Sequence, residues 1–327
     1  MTRALRVEPF RAMGSDCAIA VVADEAELAD VARATAAARA EIAACERVLS
    51  CFLPDSDLSR VNAAAGTWID VDPRLAELTA LALEARRLTD GRFDPTVLPA
   101  LVAEGYDRSF EDLTPRAPAP LHDWRPNGHV DVDRKGRRVR VAAGTGIDLG
   151  GIAKGWTADR ALAALRDAWP GVPGAFVDLG GDLRLWGRSP EDGPWGVAVA
   201  DPRGGAEPAA SITIAQGAVA TSGRDRRRFG PDRSLHHLID PTTGHAAVAG
   251  PLTATVVAPT GWEAEMHATV LATVDEATAE RHLRANPSIG AIVIPQRGPA
   301  VALGRLAPSP TPPVRRGALA GGDTLRP

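Results

Sequence analysis

The order of the local patterns limits what this chain can fold into. Long helical patterns come early, and short strand-like runs dominate the second half. A first strand is expected over residues 16–23. An Ala-rich amphipathic helix follows over about 25–48, with Leu28, Val31, Ile42 and Val48 on its apolar stripe. Residues 50–62 are dense in turn formers and read as loop. A second helix is expected over 73–88, with Pro73 in its first turn and Gly91 just past its end. After a Pro-rich surface stretch at 111–128, strands are expected at 137–142, 175–178, 183–185, 195–200, 211–214, 235–239, 253–257 and 291–294. Helices at about 152–169 and 264–273 interrupt them, and 275–285 reads as a last helix. Strands and helices do not alternate regularly, which argues against a doubly wound parallel sheet and for an α+β fold.

The chain has 327 residues, 45% of them hydrophobic, enough for one large domain or two closely packed lobes. A net charge of −4 argues against a nucleic-acid partner, which demands a basic face. No run reaches the roughly 18 apolar residues of a spanning helix, so membrane insertion is not expected. The N-terminus lacks the apolar core of a signal peptide, and Cys17, Cys45 and Cys51 carry neither disulfide nor metal spacing. A cytoplasmic protein with reduced thiols is the expectation. Residues 307–327 have the composition of a disordered tail.

Chemistry concentrates in a few segments. In GIDLGGIAKGWTADRALAAL, residues 146–165, a short apolar entry ends at Asp148, two glycines follow, and a helix begins at once. Such a junction lets backbone N–H groups and the positive helix end meet an anion, with Lys154 in the first turn. A Gly-Gly turn chosen only for its backbone angles is an equal reading of the glycines alone. Lys154 is one of only two lysines, the other being Lys135. A second doublet, Gly180-Gly181, interrupts a strand pair and marks a bulge or a close approach to the backbone. Residues 218–229, AVATSGRDRRRF, read best as a solvated basic loop. In LHHLIDPTTGH, residues 235–245, His236 and His237 must point to opposite faces of a strand, so at most one serves a given site. Glu265 and Thr269, at i and i+4 on a helix, present a carboxylate and a hydroxyl on one face, a hard-oxygen pair suited to Mg²⁺. Glu263 and His267 share that spacing on another face and read as a plain side-chain pair.

Taken in order, the stretches AMGSDCAIAV, SCFLPDSDLSRVN, TDGRFDPTVLPAL, GIDLGGIAKGWTAD, VDLGGDLRLWG, AVATSG, HHLIDPTTG and VVAPTGWEAEMHAT resemble the ApbE family of FAD:protein FMN transferases over roughly residues 9–273. The resemblance implies an ApbE-like, T-fold-like α+β domain of mixed sheets and packed helices over residues 1–306. It also implies a reaction in which FAD is the substrate, Mg²⁺ bridges its pyrophosphate, and a Ser or Thr of an acceptor protein takes FMN while AMP leaves. Carried over by matching motif, Met13, Phe52, Arg92, Phe93, Asp94, Asp148, Lys154 and Ile239 are implied FAD contacts. Glu265, Thr269 and a backbone carbonyl near Gly151 are implied metal ligands, and His237 the implied base. The sequence departs from the family twice at these positions: Phe52 replaces a usual tyrosine, and Glu265 a usual aspartate in the A-D-x-x-x-T pattern. The second departure leaves open an alternative, an FAD-binding or flavin-storage protein with at most weak FAD pyrophosphatase activity.

Overall fold

The computed structural model describes residues 3–121 and 124–306, so the expected tail lies outside the described residues. The chain opens with β1 (Ala4–Ala12) and β2 (Ser15–Ala23), then α1 (Leu28–Leu49), α2 (Asp57–Ala63), β3 (Ile69–Asp70), α3 (Pro73–Leu88) and α4 (Leu98–Glu104). The middle holds β4 (Val130–Asp133), β5 (Arg138–Val141), α5 (Ala153–Ala168), β6 (Gly174–Leu179), β7 (Leu183–Gly187), β8 (Trp195–Val199) and β9 (Ala210–Ile214). Then come β10 (Gly217–Gly223), β11 (Arg228–Phe229), β12 (Leu235–His236), β13 (Ile239–Asp240), β14 (His245–Ala246) and β15 (Thr253–Ala258). The described chain closes with α6 (Gly261–Thr273), α7 (Glu276–Ala285), β16 (Gly290–Ile294) and β17 (Val301–Gly304).

Eight strands form one sheet in the order β1-β2-β6-β7-β10-β15-β16-β17, every neighbouring pair antiparallel. Period-2 alternation gives that sheet two apolar faces. On one, Ile19, Val21, Val177 and Leu179 pack with Ile42 of α1 and Leu162 and Leu165 of α5. Farther along the sheet, Ala220, Ala254 and Val256 pack with Met266 and Val270 of α6. On the other face, Ala20, Val22, Phe176 and Val219 lie with Trp195, Val199, Ile212 and Ile214 of the β8–β9 hairpin. Helices gathered against an antiparallel sheet make the α+β fold that the sequence predicts.

Three local readings change. The 50–62 stretch contains a helix, because Ser56 Oγ accepts the Ser59 N–H at 3.0 Å and starts α2. The N-terminal nine-residue strand β1 is an edge strand with Pro9 inside it, so it lacks the strong alternation of a half-buried strand. The expected basic loop at 218–229 begins as the buried strand β10, and Arg224 is 7% exposed with its guanidinium donating to the Val248 carbonyl at 2.9 Å. The three cysteines are free thiols, as expected, and among the described residues no helix is long and apolar enough to cross a membrane.

Candidate active site

The site begins where α5 meets α6. Gly155 and Gly261 let the two backbones touch, since a Cβ on either would stand about 2 Å from the other's carbonyl oxygen, 2.1 and 2.2 Å respectively. Asp159, one turn further along α5, accepts the Gly261 N–H at 2.9 Å and the Trp262 N–H at 3.2 Å, and so satisfies the open start of α6. Arg184 holds that carboxylate from β7 at 2.7 Å. The crossing delivers Glu265, 2% exposed, to the first turn of α5, where its Oε2 accepts the Gly155 N–H at 2.8 Å.

Lys154 projects between two carboxylates. Its ammonium donates to Asp182, just after the Gly180-Gly181 doublet, and approaches Glu265 Oε1 to 3.2 Å. The second approach lacks hydrogen-bond geometry, and Glu265 Oε1 is buried with no hydrogen-bond partner. Burial raises the Glu265 carboxyl above the ordinary range, while the Lys154 charge and the Gly155 amide oppose that rise. One turn on, Thr269 Oγ1 lies 3.2 Å from Ser222 Oγ of β10. A Cβ on Gly151 would meet that same Thr269 oxygen at 3.0 Å and the Phe93 ring at 3.1 Å, so glycine here lets Thr269 and Phe93 sit close to the backbone without shifting.

Glu265, Thr269 and Gly151 therefore come together beside the crossing of α5 and α6. The orphaned carboxylate oxygen beside a hydroxyl fits a small hard cation. Among the described residues no group of three or more His, Cys, Asp or Glu is placed to hold a metal ion. An ion here would take its remaining ligands from water and substrate oxygens, which is the habit of Mg²⁺. Glu263 and His267 do not pair: Glu263 accepts from Thr260 Oγ1 at 2.6 Å, and His267 Nδ1 lies 2.7 Å from His282 Nε2 of α7.

The twelve site residues that the family resemblance implies all line one cleft of about 2060 Å³. Met13 is carried into it by the β1–β2 turn, where Met13 and Gly14 both have positive φ and the Met13 N–H donates to Glu46 of α1 at 2.6 Å. Asp148 accepts the Gly150 N–H at 3.0 Å and the Cys51 thiol at 3.6 Å, and burial raises its carboxyl. Arg92 and Phe93 stand on the loop after α3. Asp94 is there too, but its carboxylate is turned inward, accepting from Thr96 Oγ1 at 2.7 Å and the Asn127 N–H at 2.7 Å. It shapes the loop with both oxygens committed.

An aromatic wall closes the other side. Tyr106 sits between Phe52, Phe229 and His237, with ring centroids 5.7, 5.5 and 6.1 Å away, and Ile239 belongs to the same apolar cluster. His236 and His237 do point apart: His236 bonds the Ala247 carbonyl at 3.0 Å in the interior, and His237 lines the cleft. Burial, then the charge of Arg227, with smaller contributions from His236 and Lys154, push the His237 imidazole down to about 3, and its buried Nδ1 has no hydrogen-bond partner in the protein. The motif reading gave no role to Tyr106, Asp182 or Ser222. Tyr106 is the chain's single tyrosine, Asp182 directly follows a noted glycine pair, and the Ser222 hydroxyl stands in the stretch read as a basic loop.

The profile of the ApbE family matches residues 13–293. The chain belongs to the ApbE family. Among characterised relatives, the FAD:protein FMN transferase of Haemophilus influenzae is 28% identical over 228 residues, 66% of this chain and 65% of that protein. The enzyme of the same name from Treponema pallidum is 31% identical over 267 residues, 76% of this chain and 73% of its own length. This chain thus aligns with just under two thirds of the Haemophilus protein. The crystal structure of the ApbE protein from Thermotoga maritima superposes with a TM-score of 0.78 at 29% identity, covering 92% of this chain and 97% of that one. The Pseudomonas stutzeri flavinyl transferase ApbE shares the fold, with a TM-score of 0.72 at 22% identity and coverage of 92% and 95%.

Proposed function

We propose that this ApbE-family chain is a Mg²⁺-dependent FAD:protein FMN transferase. The observation that carries the reading is the buried, unbonded Oε1 of Glu265 beside the Lys154 ammonium, with Thr269 one turn away, behind the Gly150-Gly151 entry to α5. A helix start, a lysine and a hard-oxygen pair together suit a pyrophosphate. The wall of Phe52, Tyr106 and Ile239 offers the flavin an apolar side. The name shared by the curated relatives supports the same assignment.

In this reading the hydroxyl oxygen of an acceptor Ser or Thr forms a bond to the phosphorus on the FMN side of the pyrophosphate. The P–O bond to the AMP phosphate breaks, AMP leaves, and FMN remains on the acceptor as a phosphoester. Lys154 and the positive end of α5 offset the charge of the pyrophosphate, the Gly150, Ile152, Ala153 and Gly155 N–H groups being already taken by Asp148, the Leu149 carbonyl and Glu265. Mg²⁺, when bound through Glu265, Thr269 and the Gly151 carbonyl, supplies further charge neutralisation there. Met13, Arg92, Phe93 and Asp148 line the FAD side of the cleft, and Asp94 fixes the loop that carries its neighbours. His237 is the base: it lines the cleft, is neutral near pH 7 and has no hydrogen-bond partner at its buried Nδ1. A pyrophosphate bound nearby raises that depressed basicity. The cleft exceeds the roughly 300–1,000 Å³ that suffices for a drug-sized ligand, leaving room for an acceptor segment beside FAD.

Glu265 also favours a second reading. Its carboxylate already has the Gly155 amide and the Lys154 charge, and its arm is one methylene longer than the family's aspartate. A protein holding metal poorly would store FAD or split it slowly. AMP release from FAD, followed by chromatography with and without a Ser/Thr acceptor peptide, separates the two. Acceptor-dependent, Mg²⁺-dependent release supports transfer, and release indifferent to the acceptor supports slow hydrolysis.

A further inference from the structure

The Lys154 ammonium is shared unequally. Its hydrogen bond goes to Asp182, whose side chain is 2% exposed, while it meets Glu265 Oε1 as an ion pair at 3.2 Å. An ammonium has three N–H donors on a flexible stem. With one donor anchored on Asp182, the others are free to choose between Glu265 and an arriving anion. The ammonium also stands 3.2 Å from Glu265 Oε1, where its charge repels any cation approaching that oxygen. A pyrophosphate offers oxygens of higher charge, and the Lys154 side chain is 19% exposed toward the cleft that would deliver them.

We propose that Lys154 is the resident counter-ion of the metal seat and Asp182 its positioning residue. Asp182 tethers the ammonium within reach of both Glu265 and the pyrophosphate, so FAD binding draws it off Glu265 and opens that oxygen to the metal. FAD and divalent metal then bind cooperatively through movement of one side chain, beyond any ligand the nucleotide itself gives the ion. The inference rests on the FAD and metal sites of the function proposed above.

Mn²⁺ alone, titrated by EPR of the free ion into the full chain with and without FAD, tests it. Lys154→Met is expected to tighten Mn²⁺ binding to the FAD-free protein by about tenfold, within the span of ordinary site-to-site coupling. The same variant is expected to shrink the gain in Mn²⁺ affinity that FAD brings. Lys154→Gln, which keeps a hydrogen bond to Asp182 without the charge, shifts Mn²⁺ affinity in the same direction and serves if the Met variant does not fold. Asp182→Asn is expected to weaken Mn²⁺ binding when Lys154 is present, and to change it less than about twofold in the Lys154→Met background, because its effect runs through the lysine. Weaker or unchanged Mn²⁺ binding in both lysine variants overturns the proposal. So does an Asp182→Asn effect equal in the two backgrounds, which marks plain removal of a negative charge. A wild-type protein that binds both FAD and Mn²⁺ while the variants show no such pattern sinks only this inference. One that binds neither sinks the functional reading with it.

Discussion

Gly155 and Gly261 are in backbone contact, so a methyl on Gly155 would stand 2.1 Å from the Gly261 carbonyl oxygen. That contact sets the depth at which α6 crosses α5, and through it the placement of Glu265 against the Gly155 amide and Lys154. Backbone cannot swing aside as a side chain does, so the helices must separate to admit a Cβ. Gly155→Ala is expected to cost about 1–3 kcal/mol, the usual range for overpacking, and to lower FAD affinity with it. Gly193→Ala is the control. Its added Cβ meets nothing nearer than Ser189 Oγ at 4.0 Å, and its melting temperature should match the parent's.

Lys154 and Lys135 predict opposite outcomes for the same substitution. Lys154→Ala removes the one ammonium between Asp182 and Glu265 and should weaken FAD binding by about 1–3 kcal/mol, roughly 5- to 150-fold in Kd. Lys135 lies in the β4–β5 turn, exposed, and its alanine variant should bind FAD as the parent does. Calorimetry with FAD on both variants makes the comparison. Equal behaviour would place the pyrophosphate elsewhere.

Glu265 separates transfer from storage. Glu265→Gln keeps an oxygen but removes the charge, and metal-dependent turnover should fall by about 100-fold or more, the order for losing a charge-stabilising group. Glu265→Asp restores the family's ligand and should retain or raise turnover. Mn²⁺ should serve at least as well as Mg²⁺ in the parent, since Mg²⁺ demands near-ideal octahedral geometry and the longer arm disturbs it. Steady-state rates with each metal check these outcomes.

His267 carries a pH prediction for stability. Burial, then the neighbouring His282, hold its imidazole down at about 3 in the folded chain, against 6.5 ordinarily. The unfolded chain therefore takes up the proton first as pH falls. The contribution is fully present above pH 6.5 and is lost progressively toward the folded value, about 2 kcal/mol of it between pH 6.5 and 5. His267→Gln should lose stability less steeply than the parent over that interval in urea melts, while the buried carboxylates contribute alike to both.

Most of the core elements were legible because their patterns are strong. α3 falls on residues 73–88 as its Pro73 and Gly91 signals require, and α5 follows the Gly150-Gly151 junction. What escaped depends on contacts far apart in sequence. Asp182 matters through Lys154, 28 residues away, and Asp159 through the start of α6, 102 residues away. Neither spacing has a local signature. Asp94, an implied FAD contact, lines the cleft, and its oxygens also close a loop onto Thr96 and Asn127, a role visible only once the chain is folded. Tyr106 brings a phenol into the wall that Phe52 lines with a bare ring, and a reading fixed on matching motifs passes over a residue outside them.

In the proposed function, FMN moves from FAD to a protein hydroxyl at the cleft beside Lys154 and Glu265. Mass spectrometry of a Ser/Thr acceptor protein, after incubation with this chain, FAD and Mg²⁺, tests it most directly. The expected product carries one FMN as a phosphoester on a Ser or Thr, with an equal amount of AMP released, and does not form with the Glu265→Gln variant. An acceptor of unchanged mass in the presence of bound FAD and Mg²⁺, across several Ser/Thr acceptors, would contradict the account.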